Sequence, residues 1–137
     1  MCVGMLRGDV MDLMAGSEYH LPPCPTSPNC VSSQATDDHF IAPFSISGDA
    51  KSAFDRLREV LAQRTGTTVV SADDREIRVE FRTVMGFIDD GLFVLDAANR
   101  VILIRAASRL GYWDLGKNRR RMEEIRQQYM KCMEGTY

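Results

Sequence analysis

The residues best suited to chemistry are charged side chains on two neighbouring predicted strands in the second half of the chain. Asp89 and Asp90 lie on one strand, and Arg105 and Arg109 lie on the next. In a hairpin, one carboxylate lies between the two guanidinium groups: Asp89 in one register, and Asp90 when the pairing shifts by one residue. Arginine binds carboxylate and phosphate oxygens in pairs, so the pattern indicates either an exposed ion-pair ladder or a site for an anion.

Polar side chains at the start of the last predicted helix extend this group. Asn118 falls in an apolar row, where a buried amide needs hydrogen-bond partners and therefore either anchors a loop or contacts a ligand. Asp114 is placed to cap the helix. In a binding site, the arginines would supply charge, the amide and hydroxyl would orient the ligand, and the carboxylates would hold the arginines when the site is empty. The candidate ligand-binding residues are Asp89, Asp90, Arg105, Ser108, Arg109, Asp114, Asn118 and Arg119.

The charge of the chain is unevenly distributed. Between Asn99 and Arg121 there are seven basic residues and one acidic residue, a net charge of +6, whereas the whole chain has a formal net charge of −2. The overall charge excludes a globally basic nucleic-acid-binding protein, and we expect no nucleic-acid partner. The basic segment either balances the acidic remainder within the fold or meets an anionic ligand or lipid surface.

No catalytic or metal-binding pattern is present. Asp89 and Asp90 are adjacent on a strand and point to opposite faces, so they cannot share a proton as a catalytic dyad. Neither His20 nor His39 has a motif around it, and the cysteine spacing does not suit zinc. The sequence therefore predicts no catalytic residue, metal or cofactor, and it favours a non-enzymatic protein without deciding the matter.

The cysteines indicate whether the protein occupies an oxidising or a reducing compartment. Cys24 and Cys30 enclose a proline-rich loop, and either a disulfide in an oxidising compartment or two small buried thiols would explain them. Cys132 lies on the last predicted helix and is expected to face the core. Cys2 stands almost at the start of the sequence.

The elements that must position these residues follow from hydrophobic periodicity. A length of 137 residues suits one domain, which we place at 22–137 after a loosely ordered arm at 1–21. Residues 21–40 are predicted to be irregular and to lie across the surface. The predicted order is β-α-β-β-β-β-α, with elements at 40–47, 49–66, 67–71, 76–83, 87–96, 101–109 and 114–132.

Short turns between consecutive strands predict an antiparallel sheet with both helices on one face, an α+β fold. This arrangement resembles the TATA-binding-protein-like or helix-grip architecture. The loop before the last helix contains Tyr112 and the only tryptophan, Trp113. It either closes the end of the sheet or forms part of a binding site.

Three motifs together resemble a known family, the bacterial and plastid family called domain of unknown function fourteen-ninety-nine. They are Cys-Pro-x-Ser-Pro-Asn-Cys-Val-Ser-Ser-Gln from Cys24, Phe-x-Asp-Asp from Phe87, and Arg-x-Ala-Ser-Arg-x-Gly-x-x-Asp-x-Gly-x-Asn-Arg-x-Arg from Arg105. The chain departs from the family pattern at Ala106 and at 91–92, where Val-Glu is commoner. The second departure removes one acidic side chain beside the arginines. The resemblance supplies no activity.

The resemblance implies a location. Bacterial members are often lipoproteins whose lipid-modified cysteine lies about twenty residues before the Cys-Pro motif, and Cys2 lies 22 residues before Cys24. Our first hypothesis is a periplasmic or lipid-anchored binding module for an anionic small molecule or an envelope protein, meeting the membrane only through that lipid. The alternative is a structural envelope protein whose polar motifs form an internal ion-pair network. The alternative location is the cytoplasm.

Overall fold

The computed structural model describes residues 19–110, 114 and 116–133. Within them, six strands and two helices form one α+β unit. The fold class and the placement of both helices on one face of an antiparallel sheet are confirmed. The elements are β1 (Cys30–Ser32), β2 (Phe44–Ser45), α1 (Ala50–Gln63), β3 (Thr67–Ala72), β4 (Glu76–Arg82), β5 (Ile88–Asp96), β6 (Val101–Ser108) and α2 (Lys117–Met133).

Helix α1 begins and ends close to the positions that the sequence predicts. The carboxylate of Asp49 accepts a hydrogen bond from the backbone N–H of Ser52 at 2.9 Å, which satisfies one of the free donors in the first turn. The chain then leaves the helix, and Gly66 adopts a φ of +78°, a conformation that a side chain would strain. The buried face consists of Ala53, Phe54, Leu57 and Leu61.

The sheet has the order β1-β6-β5-β4-β3, and β2 also pairs with β6. Two expectations about its first strands are wrong. Residues 30–32 were expected to be irregular but form β1, which is too short to show an alternating pattern. The strand expected at 40–47 shrinks to Phe44–Ser45, because Pro43 has no N–H to donate to a strand partner and its carbonyl is bound by Arg126 at 2.9 Å.

The main core lies between the sheet and the two helices. Its largest fully buried side chains include Phe44, Phe81, Phe93 and Tyr129. Phe44 and Tyr129 stack with their ring centroids 5.5 Å apart, and the Tyr129 hydroxyl donates to the Ser45 carbonyl at 2.8 Å. Helix α2 is thereby fixed to β2. None of the described helices has the length and apolar composition to cross a membrane.

A second, smaller apolar cluster lies on the outer face of the sheet, away from the helices. Leu21 is buried there, and the Gln34 side chain holds its segment by accepting from the Leu21 N–H at 2.6 Å and donating to the Tyr19 carbonyl at 2.7 Å. Tyr19 and Leu21 thus cover part of this face. The strand residues of the cluster are Leu92, Val94, Val101 and Leu103.

The turn between β5 and β6 decides the register of the candidate site. Asp96 pairs with Val101, not with Arg100. Arg100 adopts a φ of 59° and lengthens the turn by one residue, and its guanidinium donates to the Gly48 carbonyl at 2.6 Å. Of the two registers considered for this hairpin, the one that places Asp90 between Arg105 and Arg109 is found, and the one that places Asp89 there is wrong.

Candidate functional site

The candidate residues fall on both faces of the sheet. Asp89 pairs with Ser108 and both face the helices, whereas Asp90, Arg105 and Arg109 face outward. The expected convergence of all these groups at one point does not occur. Six of the eight candidates fall into two clusters, which also contain Lys117, Arg121 and Glu80. The inner cluster consists of Asp89, Ser108, Asp114, Lys117, Asn118 and Arg121, and the outer cluster consists of Glu80, Asp90 and Arg109.

The inner cluster is built on a buried carboxylate. The side chain of Asp89 is 1% exposed, and its Oδ2 lies 3.0 Å from Arg121 Nη1 and 3.3 Å from Lys117 Nζ. Its Oδ1 has no hydrogen-bond partner among the described residues. The Arg121 guanidinium also lies over the Phe81 ring, 4.6 Å from its centroid. These ion pairs join the start of α2 to the centre of the sheet.

Asn118 joins three parts of the chain. It is fully buried, and its Nδ2 lies 2.8 Å from Asp114 Oδ2, 3.0 Å from Ser108 Oγ and 3.3 Å from the Asn29 carbonyl. Its Oδ1 accepts from Arg121 Nη1 at 2.9 Å. This geometry is that of an anchored loop, because every polar atom of the amide already has a protein partner.

Asp114 explains how a helix can begin with so many cations. Its Oδ1 accepts from the Gly116 N–H at 2.8 Å, and its Oδ2 accepts from the Asn118 N–H at 3.2 Å. The carboxylate satisfies free N–H groups of the first turn and offsets the positive end of the helix dipole. The prediction that Asp114 caps α2 is confirmed.

The outer cluster is exposed to solvent. Arg109 donates through Nε and Nη2 to both oxygens of Asp90, each at 2.9 Å, and through Nη2 to Glu80 at 2.8 Å. The hydrogen bond to Asp90, and then that to Glu80, raise the pKa of Arg109. All three side chains are more than a third exposed, so the cluster has the geometry of a surface ion-pair ladder.

Arg105 makes no ion pair with either cluster among the described residues. It donates to the Pro23 carbonyl at 3.1 Å, while its Nε is buried without a partner among the described residues. Burial lowers the pKa of this guanidinium. Its pairing partner on β5 is Leu92, so Arg105 lies opposite an apolar side chain.

Arg119 borders a pocket between the start of α2 and the segment that contains the two cysteines. Its guanidinium donates to the Phe40 carbonyl at 2.9 Å and to the Asp38 carbonyl at 3.0 Å. The remaining N–H groups of the guanidinium can donate to further acceptors. The pocket has a volume of about 260 Å³. Charged and polar side chains that line it include Thr26, Asp38, His39, Asp114 and Arg119.

His39 holds the wall of this pocket in place. Its Nδ1 lies 2.9 Å from Asp37 Oδ1, and its Nε2 lies 2.8 Å from the Ser27 carbonyl. Both partners are acceptors, so the ring satisfies both only when it carries two protons. The Ser27 carbonyl and then the Asp37 carboxylate raise the pKa of His39, and hydrogen bonds from His39 lower the pKa of Asp37.

The His39 contacts predict a pH-dependent stability. Because the pKa of His39 in the folded protein is raised above its usual 6.5, its stabilising effect is complete below that pH and is lost as the pH rises through the raised value. We expect a loss of about 1 kcal/mol in the free energy of unfolding. Urea unfolding of the wild type and of His39→Gln on both sides of neutrality measures it. An equal pH dependence in both proteins would contradict the prediction.

The Cys24 and Cys30 side chains form a disulfide, with their Cα atoms 5.7 Å apart. Of the two interpretations of these cysteines, the disulfide is the one found. Cys30 lines the pocket of Arg119, and Cys24 lines a wider groove of about 740 Å³ on the other side of the same segment. Cys2, the candidate lipidation site, lies outside the described residues.

The family follows from a sequence comparison. The family model described as protein of unknown function DUF1499 matches residues 20–129. The chain belongs to the DUF1499 family. No curated protein and no solved structure matches the chain. The match spans both clusters and the disulfide, so these features lie within the DUF1499 domain itself.

Sequence reasoning missed several partners within this DUF1499 domain. Lys117 and Arg121 bind Asp89, and their spacing of four residues on one helix face is the signal that could have paired them. Glu80 joins Arg109 from the next strand, as the alternation of β4 could have indicated. Among the described residues, no group of three His, Cys, Asp or Glu side chains is placed to hold a metal ion. Tyr112 and Trp113 lie outside the described residues.

Proposed function

We propose that the protein is a binding module whose ligand occupies the pocket between the disulfide segment (residues 24–30) and the start of α2. The observation that carries the proposal is the Arg119 guanidinium at the edge of that pocket. The other two arginines of the original hypothesis contribute less, because Arg109 is held by two carboxylates and Arg105 by a carbonyl. Arg119 is the one candidate arginine that borders this pocket among the described residues.

The size and lining of the pocket define the ligand class. A volume of about 260 Å³ is at or below the lower end for drug-sized ligands, so it suits a small molecule. Arg119 would bind a carboxylate or phosphate group of the ligand. The carboxylate of Asp38 would accept from a hydroxyl or amino group on the same molecule. The ligand is therefore a small anion that also carries a hydrogen-bond donor.

We place this module in an oxidising compartment, namely the periplasm or the cell envelope. The Cys24–Cys30 disulfide supports that location, because such bonds persist outside the reducing cytosol. A lipid on Cys2 is part of the same proposal. Such an anchor would hold the binding pocket close to the membrane surface, where an envelope protein is the alternative partner.

Native mass spectrometry of the protein isolated from its own host tests location and ligand together. We expect an intact disulfide, a lipid mass on Cys2 and an additional small-molecule mass. Free thiols and an unmodified Cys2 on protein from the soluble fraction would overturn the proposed location. If the isolated protein retains no small molecule, that result would count against the binding function.

A pair of arginine variants separates binding from stability. Arg119 and Arg126 both lie on α2 and both bind two backbone carbonyls, but only Arg119 lines the pocket. At a ligand concentration ten times Kd, bound phosphate or citrate should stabilise the wild type by about 1.4 kcal/mol and raise Tm by roughly 5 °C at matched ionic strength. We expect Arg119→Gln to lose this shift and Arg126→Gln to keep it. Equal shifts in both variants would contradict the proposed site.

A structural role is the second candidate, and one observation favours it. Four arginines donate to backbone carbonyls between positions 23 and 48 that lie outside β1 and β2, where no regular strand satisfies those groups. Such bonds hold the segment against the sheet and α2 without any ligand. If neither phosphate nor citrate shifts Tm, this role is the better account. The four are Arg100, Arg105, Arg119 and Arg126.

A further inference from the structure

An exposed apolar turn joins β4 to β5. The residues at its tip are unusually accessible to solvent: Val84 is fully exposed, Met85 is 76% exposed and Phe87 is 49% exposed. Leu110, 70% exposed, follows Arg109, whose N–H donates to the Ile88 carbonyl. The backbone therefore brings Leu110 beside the start of β5, next to the turn. Four large apolar side chains face solvent at one end of the sheet.

The turn is rigid. The Thr83 hydroxyl accepts from the Phe87 N–H at 3.0 Å, and the Thr83 and Phe87 backbones are joined by a further hydrogen bond of 2.9 Å. Gly86 provides the left-handed residue that such a turn requires, with a φ of 90°. Backbone bonds thus fix the direction in which Val84 and Met85 project.

The fold gives no reason for apolar residues at this position. Hairpin tips favour Asn, Asp, Ser and Gly, because these residues suit turn geometry and water. Val84 and Met85 belong to neither apolar cluster of the protein. A contiguous exposed apolar group of this kind marks a surface that meets another apolar phase or partner.

The charge around the turn favours a negatively charged partner surface. Arg82 precedes the turn, is exposed and has no ion pair among the described residues, and no acidic residue lies between it and Ile88. The nearest carboxylates, Glu80, Asp89 and Asp90, are already paired with basic side chains. The cationic start of α2 lies at the same end, because Lys117 reaches Asp89.

We infer that this turn, residues 83–87 with Leu110, inserts into the surface of an anionic lipid bilayer. The apolar side chains enter the boundary between headgroups and acyl chains, and Arg82 binds the phosphate-bearing headgroups. A protruding turn with four apolar side chains suits such shallow insertion better than a flat protein interface, which buries a much larger area. The contact is separate from the pocket of Arg119 and from any lipid on Cys2.

Vesicle co-sedimentation of the full chain tests the inference. The test variant is Val84→Ser/Met85→Ser, and the control is Val70→Ser/Met130→Ser, which makes the same chemical change at exposed positions outside the turn. We expect the wild type and the control to bind phosphatidylcholine–phosphatidylglycerol vesicles, and the test variant to bind at least about tenfold more weakly. Arg82→Gln should weaken binding about fivefold, and only when the vesicles are anionic.

Three outcomes would overturn the inference. The first is that the wild type does not bind these vesicles, and the second is that all variants bind them equally, since residues shared by every variant would then make the contact. The third is that the turn variant abolishes self-association or the capture of a protein while vesicle binding is unchanged, which would assign the turn to a protein interface. Because the substituted residues are exposed, unchanged thermal melting will show that every variant is folded.

Discussion

Replacing Asp89 with asparagine is expected to lower the free energy of unfolding by about 3–5 kcal/mol, because it removes the buried negative charge that both Lys117 and Arg121 contact. Lys117 and Arg121 both lie within 3.3 Å of Asp89 Oδ2. Their side chains are only 30% and 12% exposed, so water cannot fully replace the lost carboxylate. Thermal melting should show a fall in Tm of roughly 10 °C or more.

The adjacent residue provides the control for this prediction. Asp90 has the same side chain on the same strand but points to the outer face, where it binds the half-exposed Arg109. Asp90→Asn is expected to cost about 1 kcal/mol or less. If the two variants melted at the same temperature, the inner ion pairs would not be what fixes α2 to the sheet.

Asn118→Ala is expected to cost about 2–4 kcal/mol, the second largest effect. The substitution removes hydrogen bonds to Ser108, Asp114 and Arg121 together, so each of these partly buried groups loses a partner. The end of β6 and the start of α2 would no longer be joined. Chemical unfolding monitored by circular dichroism measures the loss.

Asn99→Ala is the matched control for Asn118→Ala. Asn99 is also buried, but the hydrogen bonds described for its side chain and N–H are to Asp96, three residues away in the same turn. We expect it to cost about 1 kcal/mol. An equal loss from both substitutions would mean that bridging separate elements adds nothing to the stability that Asn118 provides.

The long elements could be predicted from the sequence because their periodicity extends over several turns or residue pairs. Alternation from Ile77 to Phe81 and the apolar row of α1 both appear in the structure as expected. The capping roles of Asp49 and Asp114 could also be predicted, because a short carboxylate side chain just before a helix typically accepts hydrogen bonds from nearby backbone N–H groups. These signals are local and need no knowledge of the fold.

The arrangement of the site could not be predicted, because it depends on small differences in backbone geometry. A single left-handed residue, Arg100, shifts the β5–β6 pairing by one and thereby sends Asp89 inward and Asp90 outward. Strand β1 consists of three residues, which is too few for a periodic signal. The carbonyl contacts of Arg119 and Arg126 join residues about eighty positions apart, and no local pattern encodes them.

The contacts of helix α2 have a consequence for the order in which the chain can fold. The carbonyls of Asp38, Phe40, Ala42 and Pro43 accept hydrogen bonds from Arg119 and Arg126, and β1 lies in the sheet through its pairing with β6. A ribosome must therefore release β6 and α2 before residues 30–43 can reach their final positions, which favours slow folding and a need for protection from aggregation during synthesis.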